Sequence, residues 1–68
     1  MSLISEDNLY DSVWVRTRFV GGRGRWVYES AVENDEKKKR LVITRYKSEA
    51  DASGLHWLAV MWANTIKP

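Results

Sequence analysis

Cysteine is absent from this 68-residue chain, and histidine and proline occur once each. Without cysteine there are no disulfides and no thiolate chemistry, which fits a reducing compartment. One histidine cannot build a zinc site alone. No apolar run approaches the roughly 18 residues of a membrane-spanning helix, and the polar first nine residues lack the hydrophobic segment of a signal peptide. An excess of one charge is missing too. Eleven basic side chains stand against nine acidic ones, for a net charge of +2, which is low for a duplex-binding domain. The expectation is a soluble, cytoplasmic protein with no membrane segment, no metal and no cofactor.

What is present is aromatic surface: four tryptophans, three tyrosines and one phenylalanine. Each ring can bury roughly 150–250 Å², and a chain this short needs it. About 60 residues bury only some 60% of the unfolded surface, so stability without a cross-link rests on dense packing or on a second subunit. The chain reads as one domain, 1–68, with residues 1–9 flexible and no internal repeats.

The hydrophobic pattern predicts an α+β fold, a three-stranded antiparallel meander with one C-terminal helix across one face. Tyr10–Val20 alternates β-formers with Arg16 and Arg18, Gly21-Gly22-Arg23-Gly24 is a turn signal, and Trp26–Val32 is a second strand. Centring the hairpin between Gly22 and Arg23 pairs Phe19 with Trp26, Thr17 with Tyr28 and Arg16 with Glu29. Val13, Val15, Thr17, Phe19, Trp26, Tyr28 and Val32 then share the face under the helix. Trp14, Arg16, Arg18, Val20, Arg25, Val27 and Glu29 share the other. Glu33–Lys39 is too charged for a strand and reads as a surface loop; Arg40–Lys47 is the third strand. Ser48 with Asp51 resembles an N-cap with an acid at N3, opening a single helix to about Thr65. The expected core is Val13, Val15, Phe19, Trp26, Tyr28, Ala52, Leu55, Ala59, Trp62 and Ala63.

That helix is more apolar than one sheet requires. At 100° per residue Ala52, Leu55, His56, Ala59, Val60, Trp62, Ala63 and Ile66 form one broad stripe, with Leu58 at its edge. Trp57 and Met61 fall on the opposite side, where a helix packed on one sheet is ordinarily polar. Tryptophan and methionine are enriched in interfaces, so Trp57, Leu58 and Met61 form the expected protein-binding surface.

Tyr28-Glu29-Ser30-Ala31-Val32, followed by Arg45-Tyr46, Ser48, Asp51-Ala52, His56 and Val60, resembles a pattern met in a family of small uncharacterised proteins of phage and prophage genomes. There an aromatic-Glu-Thr strand and an Arg-Tyr strand end precede Thr-x-x-Glu-Ala-x-x-Gly-His. Ser30 and Leu55 depart from it, standing where the pattern has Thr and Gly. The resemblance covers about residues 28–60 and implies a phage-type protein, placed in the cytoplasm of an infected or lysogenic bacterium.

Other candidates have plainer readings. His56 lacks a nucleophile or orienting carboxylate among its helix-face neighbours, so a part-buried histidine bonded to a strand backbone group is expected and no catalytic residue is assigned. Gly21–Gly24 lacks the lysine and hydroxyl of a phosphate loop. The Lys37–Arg40 run is offset by Glu33, Asp35 and Glu36. Trp14, Arg16, Arg18, Arg23 and Arg25 could meet a nucleic acid across the exposed sheet face, which is the alternative to a protein partner, whether a second copy, a virion component or a host factor.

Overall fold

The computed structural model describes residues 2–22 and 27–66. Strands β1 (Ser2–Tyr10), β2 (Val13–Phe19), β3 (Tyr28–Asn34) and β4 (Lys39–Tyr46) precede helices α1 (Glu49–Gly54) and α2 (His56–Ile66). The strands form one antiparallel sheet in the order β1-β2-β3-β4, and both helices lie on one face. The fold is α+β, as the pattern indicates, with one more strand and one more helix than expected.

The extra strand is the segment expected to be flexible. Ser2–Tyr10 pairs with β2 along its length, and Asp11 makes the tight reversal at φ +47°, a left-handed conformation that Asp tolerates better than most residues. The Asn8 amide Nδ2 braces the turn, donating to the carbonyls of Asp11 at 3.2 Å and Val13 at 3.0 Å. A polar strand of this kind is stable as an edge, with its side chains in water.

The β2–β3 register differs from the expected one by two residues. Phe19 pairs with Tyr28, Thr17 with Ser30, and Arg18 with Glu29. The connection begins with Val20 and Gly21 amides both bonded to the Val27 carbonyl, and Gly21 and Gly22 have φ of +70° and +105°. A two-residue slip preserves face assignment, so the expected inner and outer faces hold for the paired residues of β2 and β3. Arg23, Gly24, Arg25 and Trp26 lie outside the described residues. Glu33 and Asn34 belong to β3, so the charged connection is shorter than expected. Its reversal ends at Lys38, φ +54°, with the Lys37 amide donating to the Asn34 side chain at 2.9 Å.

Ser48 caps α1 through its hydroxyl, which accepts from the Asp51 amide at 3.2 Å. The single expected helix is interrupted at Leu55, which leaves helical geometry at φ −106°, ψ 3°. Two local features weaken the helix there. Gly54 is a poor helix former, and the Ser53 hydroxyl donates to the Glu49 carbonyl at 2.8 Å, a back-bond that bends helices.

The core is built from small side chains. Val13, Val15 and Val32 of the sheet meet Ala59 and Ala63 of α2, with Leu9, Ile43 and Val60 at the margin; Ala52 is buried as well. Alanine on the helix lets the two layers approach closely. Phe19, Leu55 and Trp62, expected inside, are instead about two-fifths exposed. Phe19 sits at the open end of the sheet, edge-to-face with half-buried Tyr28 at 5.2 Å. Leu55 and Trp62 are displaced because Ala52, His56, Ala59 and Ala63, spaced at i, i+4, i+7 and i+11, take the centre of the contact line. No helix among the described residues is long and apolar enough to cross a membrane.

Candidate functional site

Three features carry chemistry: a buried polar chain under α2, a charged lattice on the outer sheet face, and an apolar helix surface.

The polar chain starts at Asp7 on β1. The Asp7 Oδ2 lies 2.7 Å from His56 Nε2, and His56 Nδ1 lies 2.6 Å from the Thr17 hydroxyl. Thr17 bonds the Ser30 hydroxyl, which lies 2.9 Å from the Tyr46 hydroxyl. One residue from each strand thus joins the first residue of α2. An ionised Asp7 can only accept, so with a neutral imidazole the proton sits on Nε2. Thr17 then donates to Nδ1, Ser30 to Thr17, and Tyr46 to Ser30. Every group is satisfied, and among the described residues no buried side-chain polar atom lacks a partner. His56 therefore bonds strand side chains, and the expected backbone partner is corrected. Carboxylate, imidazole and hydroxyl stand in the sequence of an acyl-transfer triad. Thr17 and Ser30 are fully buried, however, and no substrate reaches either oxygen in this arrangement. The chain was legible in part: Thr17 falls on the inner face, a buried hydroxyl needs a partner, and His56 is the polar member of the facing stripe.

The outer face is a lattice of pairs. Arg16 donates from Nε to Glu6 at 2.9 Å, from Nη1 to Glu33 at 3.0 Å, and through both Nη atoms to Asp35 at 2.6 and 2.8 Å. Its guanidinium also lies 4.9 Å from the Trp14 ring centre. Arg18 makes a double bond-pair to Glu33 at 3.1 Å. Arg40 bridges Glu33 at 3.2 Å and Glu29 at 2.9 Å, and Arg45 reaches Glu29 at 2.9 Å. Glu29 is opposite Arg18 rather than Arg16, and its ion partners come from β4. Hydrogen bonds to Asp35 hold the Arg16 guanidinium above its ordinary value against the cost of burial, with Glu33 and Glu6 adding to it. Burial pushes Glu33 and Glu29 up, but donors from Arg18 and Arg16, and from Arg45 and Arg40, outweigh it, so both titrate below the ordinary carboxylate range. Arg16 lowers Asp35 as well. Of the five residues considered for nucleic acid, Trp14, Arg16 and Arg18 lie together on this face with both arginines engaged by carboxylates; Arg23 and Arg25 lie outside the described residues.

The apolar surface lies on the helices. Leu55, Trp57, Leu58, Met61, Trp62 and Ile66 are 40–56% exposed, and α2 carries no Asp, Glu, Lys or Arg. Trp57, Leu58 and Met61, singled out from the sequence, are all accessible. Leu55, Trp62 and Ile66 extend the patch and were missed because periodicity placed all three on the stripe facing the sheet, Leu55 and Trp62 among the expected core. Beside them a groove of about 330 Å³ opens between α2 and β4, lined by Ile43, Thr44, Tyr46, Leu55, Leu58 and Trp62 among others. Among the described residues no cluster of three or more His, Asp or Glu stands close enough to hold a metal. Comparison with family models, with curated proteins and with solved structures finds no match for this chain.

Proposed function

We propose that the protein is a non-enzymatic interaction module of phage type that binds protein through the exposed side of α1 and α2. The observation that carries this reading is the inversion of the usual packing. Among the described residues Tyr46 is the one large hydrophobic side chain in a core otherwise made of Val and Ala, while six large apolar side chains of the helical region are 40–56% exposed. Contiguous apolar surface of that kind marks interaction sites in soluble proteins, and exposed Trp and Met are typical anchors. Nucleic-acid binding through Trp14, Arg16 and Arg18 is the weaker reading, because a phosphate would have to displace Glu6, Glu33 or Asp35 from guanidinium groups they already hold. The phage-type pattern of residues 28–60 fits a second copy, a virion component or a host factor as partner.

A photo-crosslinking residue placed at Met61 tests the reading in cells. Adducts to protein, the chain itself included, are expected from position 61, and few from position 36 in the β3–β4 loop. Equal yields from both positions, or none, would remove the helix surface as a binding site.

A further inference from the structure

The sheet face that bears the helices is only partly roofed. Helix α2 lies over β1, β2 and β3, while the shorter α1 reaches β4. The inner side of β4 is covered unevenly: Tyr46 is buried and Ile43 packs against the core, while Thr44 is half-buried and Leu41 is exposed. The groove floored by Ile43, Thr44 and Tyr46 lies against the α2 flank. A second depression of about 280 Å³, lined by Val13, Val32 and Leu41 with Lys39 and Arg40 at its margin among others, continues at the other end of the strand, where Leu41 is 55% exposed. Along the α2 flank Leu58, Trp62 and Ile66 follow at i, i+4 and i+8, a single ridge on one side of the helix.

We infer that the partner seated on this flank is a second copy of the chain, each protomer laying its Leu58–Trp62–Ile66 ridge over the inner face of the other's β4. The inference rests on the proposed protein-binding role of the helices and names the occupant.

Three features favour a second copy. The surface is both ridge and groove, side by side, the pairing that a two-fold axis can make self-complementary. Leu41, Leu55, Leu58, Trp62 and Ile66 are 40–55% exposed, and each presents on the order of 100 Å². Full burial of these side chains in a pair of protomers removes about 1,000 Å², the floor for a specific interface before the surrounding contacts are added. The absence of charge on α2 also matters: a two-fold contact sets a surface against itself, and any charge near the axis would oppose its own copy. Met61, three residues from Leu58, borders this ridge, while Trp57 lies farther round α2.

Sedimentation equilibrium on the wild-type chain, at concentrations up to about 100 µM, should give the mass of a dimer. Leu58→Lys and Trp62→Lys should weaken association at least about 30-fold, the loss expected of a central anchor, while far-UV circular dichroism stays unchanged. Trp57→Lys should leave most of the dimer. Should the helix variants fail to fold, Leu41→Lys, an exposed position on β4, is expected to give the same loss. A wild-type monomer overturns the inference, as does a dimer that survives both Leu58→Lys and Leu41→Lys, or one lost only in Trp57→Lys. With a wild-type monomer, crosslinks from Met61 to a different protein would leave the protein-binding role standing, and their absence would remove both.

Discussion

Replacing His56 with alanine is expected to destabilise the fold by about 3 kcal/mol, combining a truncated core side chain with polar groups left unpaired. His56 is buried and touches Thr17 and Asp7 at once. Its removal strips Nδ1 from a hydroxyl that has no access to water. For a domain of this length a loss of that size lowers the melting temperature by more than about 10 °C. Thr17→Val should cost about 1–2 kcal/mol, because it keeps the volume and orphans Nδ1 and Ser30. The double variant Thr17→Val with His56→Ala should lose less than the sum of the two single losses, since removing both partners of a buried pair leaves fewer orphaned groups than removing each alone. Asp7→Asn should change little, the Asp7 side chain being more than half exposed. Thermal and urea unfolding of the four variants checks this. A His56→Ala protein within about 0.5 kcal/mol of wild type, the range of ordinary surface substitutions, would mean that the chain from Asp7 to Tyr46 contributes nothing.

Glu33→Gln carries the second large effect. Glu33 holds Arg16, Arg18 and Arg40 while its side chain is only 10% exposed. Breaking fully buried pairs costs about 3–5 kcal/mol and surface pairs at most about 1; a site between those limits should lose about 2 kcal/mol at neutral pH. The pH dependence follows from direction alone. Glu29, Glu33 and Asp35 titrate lower in the folded protein than their ordinary values. Below those ordinary values the unfolded chain therefore binds more protons than the native one. The stability they supply is complete above the ordinary carboxylate range, near pH 4–5, and is lost as pH falls through their lowered folded values. Wild type should hold its unfolding free energy from neutral pH to about pH 5 and decline below it. Glu33→Gln should start lower and decline less steeply, the two curves converging in acid. Parallel curves would show that Glu33 is not coupled to its arginines.

The sequence pattern carried the sheet faces because burial alternates with a period of two, and a hairpin slip of two residues leaves that parity intact. It carried the Ser48 cap for the same local reason, a hydroxyl three residues before an orphan amide. The pattern could not carry β1, since Ser2–Tyr10 has an edge strand's composition and its pairing partner is supplied by β2 from across the turn. Nor could it carry the fate of Leu55 and Trp62. Apolar periodicity marks the helix side able to pack, but the width of the contact is set by the layers. With Ala52, Ala59 and Ala63 bringing the helices close, bulky neighbours are pushed to the flank. The same closeness brings His56 onto Thr17. Trp57, Leu58 and Met61 were legible as surplus because they lie off any contact line a single sheet can offer.

The most direct test of the helix surface as an interface is solvent relaxation of the indole N–H signals by a soluble paramagnetic probe, followed as protein concentration rises. Trp62 lies on the proposed seam and Trp14 on the opposite face of the sheet, so one spectrum holds both the site and its control. The Trp62 signal is expected to lose its sensitivity to the probe as the chain associates, while Trp14 keeps its own. A Trp62 signal that stays equally accessible at every concentration, with Trp14 unchanged, would contradict self-association through this flank.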